Sequence, residues 1–242
     1  MMRADLAQIL RTNAYPGRGI ILGLSEDGSR AVLIYFIMGR SVNSRNRVFE
    51  RTSDGIRTEA YDPGKMADPS LVIYNPVRVF DGRTIVTNGD QTDTIYEYLT
   101  SGQDFRSALL TREFEPDPPI FTPRISGLIE PDGSYYLSIL KTANGEPTCC
   151  CRYFFEYSAP VPGSGCFIST FKSDGDPPPS FEGEPVAVNI SVADGLERFA
   201  LSVWNALNGE NKVSLYARET VIRTGKTLDF IINKNTVESG TI

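Results

Sequence analysis

Histidine is absent from all 242 residues of this chain. Its absence excludes Ser/His/Asp and Cys/His nucleophilic systems and His-ligated zinc, and it removes the side chain that most often transfers protons near neutral pH. Any acid or base in this protein must therefore be Asp, Glu, Tyr, Lys or Cys.

Cysteine is scarce, and its four residues are badly spaced for a metal: Cys149, Cys150, Cys151 and Cys166. Three adjacent cysteines do not match the spaced pairs of a zinc site and are poorly placed to bridge one another. In a strand, Cys149 and Cys151 would point to one face and Cys150 to the other. We interpret the thiols as ordinary strand or core residues, with a nucleophilic or redox role as the alternative. We expect neither a metal nor a cofactor.

A positive charge excess and a long hydrophobic run are also missing. The chain has 24 Lys and Arg against 30 Asp and Glu, which argues against a broad surface for nucleic acid. The longest apolar run, residues 31–38, is far shorter than the ~20 residues of a membrane span. Asp5 stands where a signal sequence has its apolar centre. We expect a cytoplasmic protein with no nucleic-acid or membrane partner.

The pattern of elements predicts an α+β protein. We expect helices over Thr92–Leu99, capped by Asp90, from Asp104 onward, and after Asp194, where a capping box precedes an apolar stripe. Continuous β-branched runs indicate strands covered on both faces. The predicted strands are RGIILGL, AVLIYFIM, LVIYNPVRVF, RTIVTNG, RISGLIE, SYYLSILK, RYFFEYS, CFISTF, PVAVNI, KVSLYARETVIR and KTLDFIIN, the first two forming a hairpin.

One short segment, YFIMGRSVNSRNRVFER, concentrates arginine in an otherwise acidic chain. Arg40, Arg45, Arg47 and Arg51 alternate there with serine and asparagine. The segment is either a solvated edge, with Arg51 paired to Glu50, or an anion site. Arginine forks match phosphate oxygens, and Ser and Asn add short neutral donors.

Three further segments could carry chemistry or only turns. IVTNGDQTD, residues 85–93, places an Asn-Gly step before a helix whose first amides are unpaired. FEPDPPIFTPRI, residues 114–125, holds Glu115 and Asp117 in a proline-stiffened loop that ends at Arg124. YNPVR, residues 74–78, offers Tyr74 and Asn75, which packing and a turn would also explain.

In the order GRSVNSRNR, IYNPVRV, VTNGDQTD, FEPDPPIFTPRI and FISTF, the sequence resembles the IMP cyclohydrolases of the archaeal type, over about residues 18–172. Their pattern runs SRS with a following NR, YNxxK/R, TNGxHTD, YE with a downstream TPRI, and a late LSTY-like strand. In this chain Gln91 replaces the histidine of TNGxHTD, and Phe121 replaces an asparagine before TPR.

The resemblance implies a four-layer αββα sandwich of the N-terminal nucleophile hydrolase type. It also implies ring closure of 5-formamidoimidazole-4-carboxamide ribonucleotide to IMP with loss of water. We expect one domain over residues 1–242, with residues from about 173 a C-terminal elaboration of the same core. The expected partner is a small nucleotide, and a homo-oligomer stays open. The alternatives are a nucleotide-binding protein without catalysis and an amide hydrolase of the same fold.

The resemblance also implies the site. Glu115 and Tyr74 would share the proton transfers, and Asn88 and Arg124 would donate to the base or the oxyanion. Because the chain begins Met1-Met2-Arg3, a nucleophile at the terminus is disfavoured. The implied nucleotide-binding residues are Arg40, Ser41, Arg45, Asn46, Arg47, Asn75, Gly89, Asp90 and Asp93, with the 5'-phosphate expected among Arg40, Arg45 and Arg47.

Overall fold

A computed structural model describes residues 3–66, 69 and 71–235. The strands are β1 (Arg18–Leu24), β2 (Arg30–Met38), β3 (Arg47–Arg51), β4 (Gly55–Ala60), β5 (Val77–Phe80), β6 (Arg83–Thr87), β7 (Arg124–Ile129), β8 (Tyr135–Ala143), β9 (Glu146–Tyr157), β10 (Ser164–Ser169), β11 (Val186–Asn189), β12 (Lys212–Val221) and β13 (Thr227–Asn233). The helices are α1 (Leu6–Thr12), α2 (Val42–Arg45), α3 (Gln91–Thr100), α4 (Phe105–Leu110) and α5 (Leu196–Ala206), with a 3-10 turn at Pro63–Lys65.

The strands form two antiparallel sheets, which confirms the predicted α+β class. The first sheet has six strands in the order β11-β10-β1-β2-β12-β13, and the second has seven in sequential order from β3 to β9. The predicted hairpin is the β1–β2 pair, in which Ile21 lies opposite Ile34. The position next to β2, on the side away from β1, is taken by β12 from the C-terminal part of the chain.

Strands β1 and β2 are apolar on both faces because both faces are covered. Ile20 and Tyr35 belong to a cluster that also contains residues of the second sheet, such as Ile125. Ile21 and Ile34, one position along each strand, pack instead with the helices on the opposite face. Continuous rather than alternating hydrophobicity therefore predicted this double burial correctly.

Helices cover the outer face of each sheet. Leu10 of α1 and Val203 of α5 pack on the first sheet, while Ile95 of α3 and Leu109 of α4 pack on the second. The longest helix in the described part of the chain, α5, has eleven residues, so no described helix is long and apolar enough to cross a membrane.

The helices themselves are confirmed, but two predicted caps are not fully right. Asp90 is the N-cap residue of α3, as predicted, yet its carboxylate bonds to Arg112 and Arg124 and makes no capping hydrogen bond. The predicted cap of α5 at Asp194 is wrong. The N-cap of α5 is Gly195, and Asp194 pairs with Arg198. In both cases a guanidinium competes for the carboxylate. The predicted opening of a helix at Asp104 is confirmed, and the Asp104 side chain caps α4 by accepting from the Ser107 amide at 2.7 Å.

The C-terminal third contributes strands to the first sheet. Strands β11, β12 and β13 supply three of its six strands, and β12 lies between β2 and β13. The Tyr216 side chain of β12 is fully buried in the cluster between the sheets. Strands β11, β12 and β13 therefore belong to the same hydrophobic core as strands β1 and β2.

The cysteines lie on two strands and are all free thiols. As predicted for a strand, Cys150 of β9 packs toward α3 and α4, and Cys151 faces the other way. Cys166 of β10 is buried between the sheets. Within the described part of the chain, none of the four cysteines lines the cavity that contains Arg18 and Glu115.

We predict that replacing Cys149 and Cys150 by alanine and Cys151 by serine leaves the stability nearly unchanged, because these side chains are exposed or half-buried. Cys166→Ala, which removes a buried sulfur, should lower the free energy of unfolding by about 1 kcal/mol. Urea unfolding with and without reductant measures both. A large loss in the triple variant, or a dependence on reductant, would contradict the assignment of these thiols as structural.

Candidate active site

A polar cavity of about 320 Å³ opens at one end of the core between the sheets. Its wall comes from the segment entering β1, the β2–α2 turn, the loop before β5, the α4–β7 loop and the segment after β10. Residues far apart in sequence meet here because these ends of the two sheets lie together. The lining residues that matter below are Tyr15, Arg18, Arg40, Ser41, Glu115 and Asp117.

Glu115 lines this cavity and yet is almost completely buried, with 2% of its surface exposed. Its backbone N–H donates to the Thr122 carbonyl at 2.9 Å. Asp117 closes the same loop by accepting from the Thr122 amide and hydroxyl at 2.7 and 2.6 Å. The loop thus holds the carboxyl in place without a bond to the carboxylate itself.

Burial raises the pKa of Glu115 from its ordinary value of 4.5 to about 7. The positive charges of Arg18, Arg124 and Arg47 act in the opposite direction, and Asp117 adds to the increase. Desolvation exceeds the attraction of the cations because no ion pair to Glu115 forms among the described residues. Near neutral pH this group can therefore both accept and release a proton.

Two buried arginines lie near this carboxyl, one from each sheet. Arg18 begins β1, and its backbone N–H donates to the Thr170 hydroxyl at 3.1 Å. Arg47 begins β3. Within the described residues, Nε of Arg18 and Nη1 of Arg47 have no hydrogen-bond partner. A buried donor without a partner is costly, so this end of the core favours an incoming anion.

The two guanidinium groups differ in their surroundings. Burial acts to lower the pKa of Arg18, but the nearby Glu115 and tyrosine side chains outweigh it and the pKa is raised. Burial and the charge of Arg18 together lower the pKa of Arg47. The guanidinium of Arg47 is held at one nitrogen, because its Nε donates to the Ser44 carbonyl at 2.9 Å.

A series of hydrogen bonds between side chains links Glu115 to Arg124. Asn88 Nδ2 lies 3.5 Å from Glu115 Oε1, and Asn88 Oδ1 accepts from Gln91 Nε2 at 3.1 Å. Gln91 Oε1 in turn accepts from Arg124 Nη1 at 2.6 Å, and Arg124 pairs with Asp90. Asn88, Gln91, Glu115 and Arg124 are all buried.

Gly89 is required where these side chains converge. A Cβ at this position would lie 2.5 Å from Arg124 Nη1, 2.7 Å from Gln91 Oε1 and 3.4 Å from Glu115 Oε1. The first two distances are shorter than van der Waals contact allows. The Asn-Gly step after β6 therefore makes room for these groups as well as turning the chain.

Tyr74 lies beside the site and shares a hydrogen bond with Tyr35. Their hydroxyl oxygens are 2.9 Å apart, and both side chains are buried. Burial raises the pKa of Tyr35 well above its ordinary value, so Tyr35 remains a neutral hydroxyl. Tyr74 does not belong to a strand, because β5 begins only at Val77, so the predicted strand LVIYNPVRVF is too long.

Arg40 and Ser41 line the mouth of the cavity. Arg40 Nη1 lies 2.8 Å from Asp174 Oδ1 and 2.6 Å from the Gly175 carbonyl oxygen, and the guanidinium sits over the Tyr15 ring. An anion that enters the cavity would compete with Asp174 for this guanidinium. Ser41 caps α2 by accepting from the Ser44 amide.

Two other predicted nucleotide-binding residues bond to protein groups away from the cavity wall. Arg45 donates to the Gly39 carbonyl at 2.9 Å, and Asn46 donates to the Asp62 carbonyl at 2.7 Å. These bonds hold the β2–α2 turn and the β3 entry in place. The nucleotide roles of Arg45 and Asn46 stay predictions.

Asn75 and Asp93 form a separate cluster with Arg78. Asn75 Nδ2 lies 3.3 Å from Asp93 Oδ1, which also pairs with Arg78 at 3.1 Å. The Arg78 guanidinium also stacks on the Tyr96 ring. The structure thus joins these two predicted residues to each other, and the described cavity lining does not include them.

Arg18 and Tyr35 are not among the site residues predicted from the sequence. Both lie inside strands that read as plain apolar runs, and both reach the site only through the packing of the two sheets. The one available signal was a charged residue, Arg18, at the start of RGIILGL. Its buried state could not be inferred from that position.

A buried carboxyl with a pKa near neutral, set in a cavity beside buried cations, is typical of the acid–base sites of enzymes. The family model described as "IMP cyclohydrolase-like protein" matches residues 15–234. The chain therefore belongs to the IMP cyclohydrolase-like family, and the resemblance extends through the C-terminal third.

Individual relatives agree with this membership. The chain is similar to the IMP cyclohydrolase of Halobacterium salinarum, 33% identical over 149 residues, which is 57% of this chain and 72% of the relative. The IMP cyclohydrolase of Methanosphaera stadtmanae is 30% identical over 65% of this chain and 74% of its own length. That of Methanopyrus kandleri is 29% identical over 69% of this chain and 89% of its own length.

The raised pKa of Glu115 predicts a pH-dependent stability. Glutamate in the unfolded chain loses its proton near pH 4.5, whereas the folded protein keeps it until about pH 7, so stability falls as the pH rises between these values. At 1.36 kcal/mol per pKa unit, this contribution is roughly 3 kcal/mol.

Glu115→Gln should remove that part of the pH dependence, while the matched variant of an exposed glutamate, Glu97→Gln, should keep it. Free energies of unfolding in urea at about pH 5 and about pH 8 give the comparison. If Glu115→Gln and the parent lose equal stability between the two pH values, Glu115 is not the group with the raised pKa.

Proposed function

We propose that this protein is a cyclohydrolase that converts 5-formamidoimidazole-4-carboxamide ribonucleotide to IMP and water. Membership of the IMP cyclohydrolase-like family supports the reaction. The observation that carries the proposal is Glu115, a buried carboxyl with a pKa of about 7 in a cavity that also exposes Arg18. Such a site offers proton transfer and anion binding without histidine.

The reaction suits a site of this kind. The carboxamide nitrogen attacks the formyl carbon of the same molecule, a C–N bond forms, and the formyl oxygen finally leaves as water. Since both groups belong to one substrate, the protein has to hold the reactive conformation, move protons and stabilise a developing oxyanion. No step requires a covalent intermediate with the protein.

Glu115 is the proposed proton acceptor for the attacking nitrogen. Its carboxylate form, populated above about pH 7, takes the proton, and the resulting acid can return it to the departing oxygen. Tyr74, whose hydroxyl is paired with Tyr35, is proposed to share this work. Asn88 and Arg124, predicted to donate to the base or the oxyanion, are supported by the chain of bonds that links them to Glu115.

The 5'-phosphate is proposed to bind at the arginines near the cavity. Arg40 faces it directly, and Arg18 and Arg47 contribute positive charge from inside the core. One guanidinium group can donate two parallel, charge-assisted hydrogen bonds to phosphate oxygens, and neutral donors do not provide such bonds.

Several finer expectations belong to the same proposal. They are an αββα sandwich of the N-terminal nucleophile hydrolase type, one domain over the whole chain and a cytoplasmic location. Clusters of apolar residues on both faces of each sheet support the sandwich. A nucleotide-binding protein would bind the formamido nucleotide without change, and an amide hydrolase would release formate. An assay for IMP by ultraviolet absorbance and an assay for formate together distinguish all three.

We predict that Glu115→Gln slows ring closure by about 10²-fold or more, because it removes the proton acceptor while keeping the shape of the side chain. The affinity for the formamido nucleotide should stay within a few-fold. In the parent protein the rate should fall below about pH 7, where Glu115 is protonated, and this limb should vanish in the variant.

Single-turnover kinetics beside a binding titration test this prediction. Glu97→Gln, on the exposed side of α3, is the control and should turn over normally. Unchanged turnover in Glu115→Gln would remove this residue from the mechanism and move the proton transfer to Tyr74 and Asp117.

We also predict that Arg40→Ala weakens nucleotide binding at least ~10-fold, since a lost charge-assisted contact costs about 1.5 to 3 kcal/mol. Arg51→Ala provides the matched control, because Arg51 pairs with Asp229 outside the cavity. Binding of the nucleotide and of the free nucleoside should be titrated in each variant. An equal loss of affinity for both ligands in Arg40→Ala would show that Arg40 does not bind the phosphate.

A further inference from the structure

Gln91 is a fully buried amide at the centre of the series of hydrogen bonds that links Glu115 to Arg124. Its carbonyl oxygen Oε1 accepts from Arg124 Nη1 at 2.6 Å. Its Nε2 donates to Asn88 Oδ1 at 3.1 Å and to the Ile125 carbonyl at 3.3 Å. Reversing the amide would set NH₂ against a guanidinium and an oxygen against two oxygens, so only one orientation is compatible with its neighbours.

Arg124 is close to Glu115 without being paired to it. Arg124 Nη1 and Glu115 Oε1 would both lie within 3.4 Å of a Cβ placed on Gly89. Yet among the described residues no lysine or arginine nitrogen lies within 4.0 Å of a Glu115 carboxylate oxygen. The acceptors that hold Nη1 are Gln91 Oε1 on the buried side and Asp90 Oδ1, at 2.7 Å, on the exposed side.

We propose that Gln91 is a positioning residue that gives the Arg124 guanidinium a neutral buried acceptor and so holds it off the Glu115 carboxylate. The role rests on the proposed acid–base function of Glu115. A direct Arg–carboxylate pair lowers a carboxyl pKa by 1 to 3 units, which would leave Glu115 a much weaker base. A negatively charged residue at position 91 would instead raise the pKa of Glu115.

Asn88 is less dependent on Gln91 than Arg124 is. Asn88 Oδ1 also accepts from the Ile125 amide at 2.8 Å, and Nδ2 also donates to the Pro123 carbonyl at 2.9 Å. These backbone bonds keep its orientation when Gln91 is replaced. The main result of losing the Gln91 oxygen is therefore an unpartnered buried N–H on Arg124, for which Glu115 Oε1 is the nearby acceptor.

The other charges around Glu115 do not depend on Gln91. Arg18 faces it from β1, Arg47 from β3, and Asp117 from its own loop. Because none of them bonds to Gln91, a shift in the titration of Glu115 after replacement of Gln91 by an uncharged residue reports on Arg124.

The test compares two substitutions with opposite expected signs. Gln91→Leu removes the acceptor, so Arg124 should turn to Glu115 and the acid limb of the kcat/KM profile should move down by about one unit or more. Gln91→Glu keeps an acceptor for Arg124 and adds a negative charge, so the limb should move up. If Gln91→Leu fails to fold, Gln91→Asn, which is too short to reach Arg124, should shift the limb in the same direction as leucine.

Thr92→Val is the control for a merely structural effect. Thr92 is buried in the same turn of α3, and its hydroxyl bonds to Thr87 and to the Gly89 carbonyl. This variant should lose stability and keep the pH profile in place. Equal shifts in Gln91→Leu and Gln91→Glu, or no shift in either, would overturn the proposal.

A second readout separates this inference from the proposed function. Carboxyl-carbon NMR of the free protein with labelled glutamate gives the titration of Glu115, identified by its absence in Glu115→Gln. If the parent does not form IMP, the proposed function fails, and the NMR titration still decides the role of Gln91. Opposite shifts for leucine and glutamate support it, and any other pattern contradicts it.

Discussion

The desolvation of Glu115 is the constraint on which the rest of the site depends. Three arginines surround this carboxyl, and any of them in direct contact would hold it ionised at low pH. Arg124 is bonded to Gln91 and Asp90, Arg47 is bonded to the Ser44 carbonyl, and none of the three guanidinium groups pairs with Glu115 in the described part of the chain. Burial therefore dominates, and the carboxyl titrates near neutrality. The positive charge that remains unpaired is available to a substrate anion.

The architecture explains how such an arrangement is held in the fold. Arg18 comes from the first sheet and Arg47 from the second, so the packing of the two sheets brings their charges together. Two buried cations would destabilise an ordinary apolar core. Here they lie at the end of the core, where a polar cavity of about 320 Å³ replaces apolar packing. The hydrophobic cluster between the sheets supplies the stability that this end of the structure lacks.

The parts that could be predicted from the sequence depend on local patterns. The β1–β2 hairpin, helices α3, α4 and α5, and the grouping of Asn88, Glu115 and Arg124 follow from hydrophobic periodicity, turn residues and the family motifs. Strands β3 and β4 were missed because they contain few apolar residues among charged ones, and helix α1 was missed because it fills less than two turns. Asp90 makes no capping bond, and Asp194 is not the N-cap of α5, because arginines that are distant in sequence or one turn ahead compete for these carboxylates. Arg18 and Tyr35 required the long-range contact between sheets.

In a chain without histidine, the burial of Glu115 supplies a group whose pKa lies near neutral pH. Histidine titrates near pH 6.5 in water and needs little help to act at neutral pH, whereas glutamate has to be shifted by more than two units. Burial alone can produce such a shift, but it also removes the water that would stabilise the carboxylate once the proton has left. The neighbouring guanidinium groups supply that stabilisation at longer range, strong enough to permit ionisation and weak enough to leave the pKa at about 7. A neutral amide between Arg124 and the rest of the site fits this requirement better than a second charge, because it fixes the guanidinium without adding to the field at Glu115.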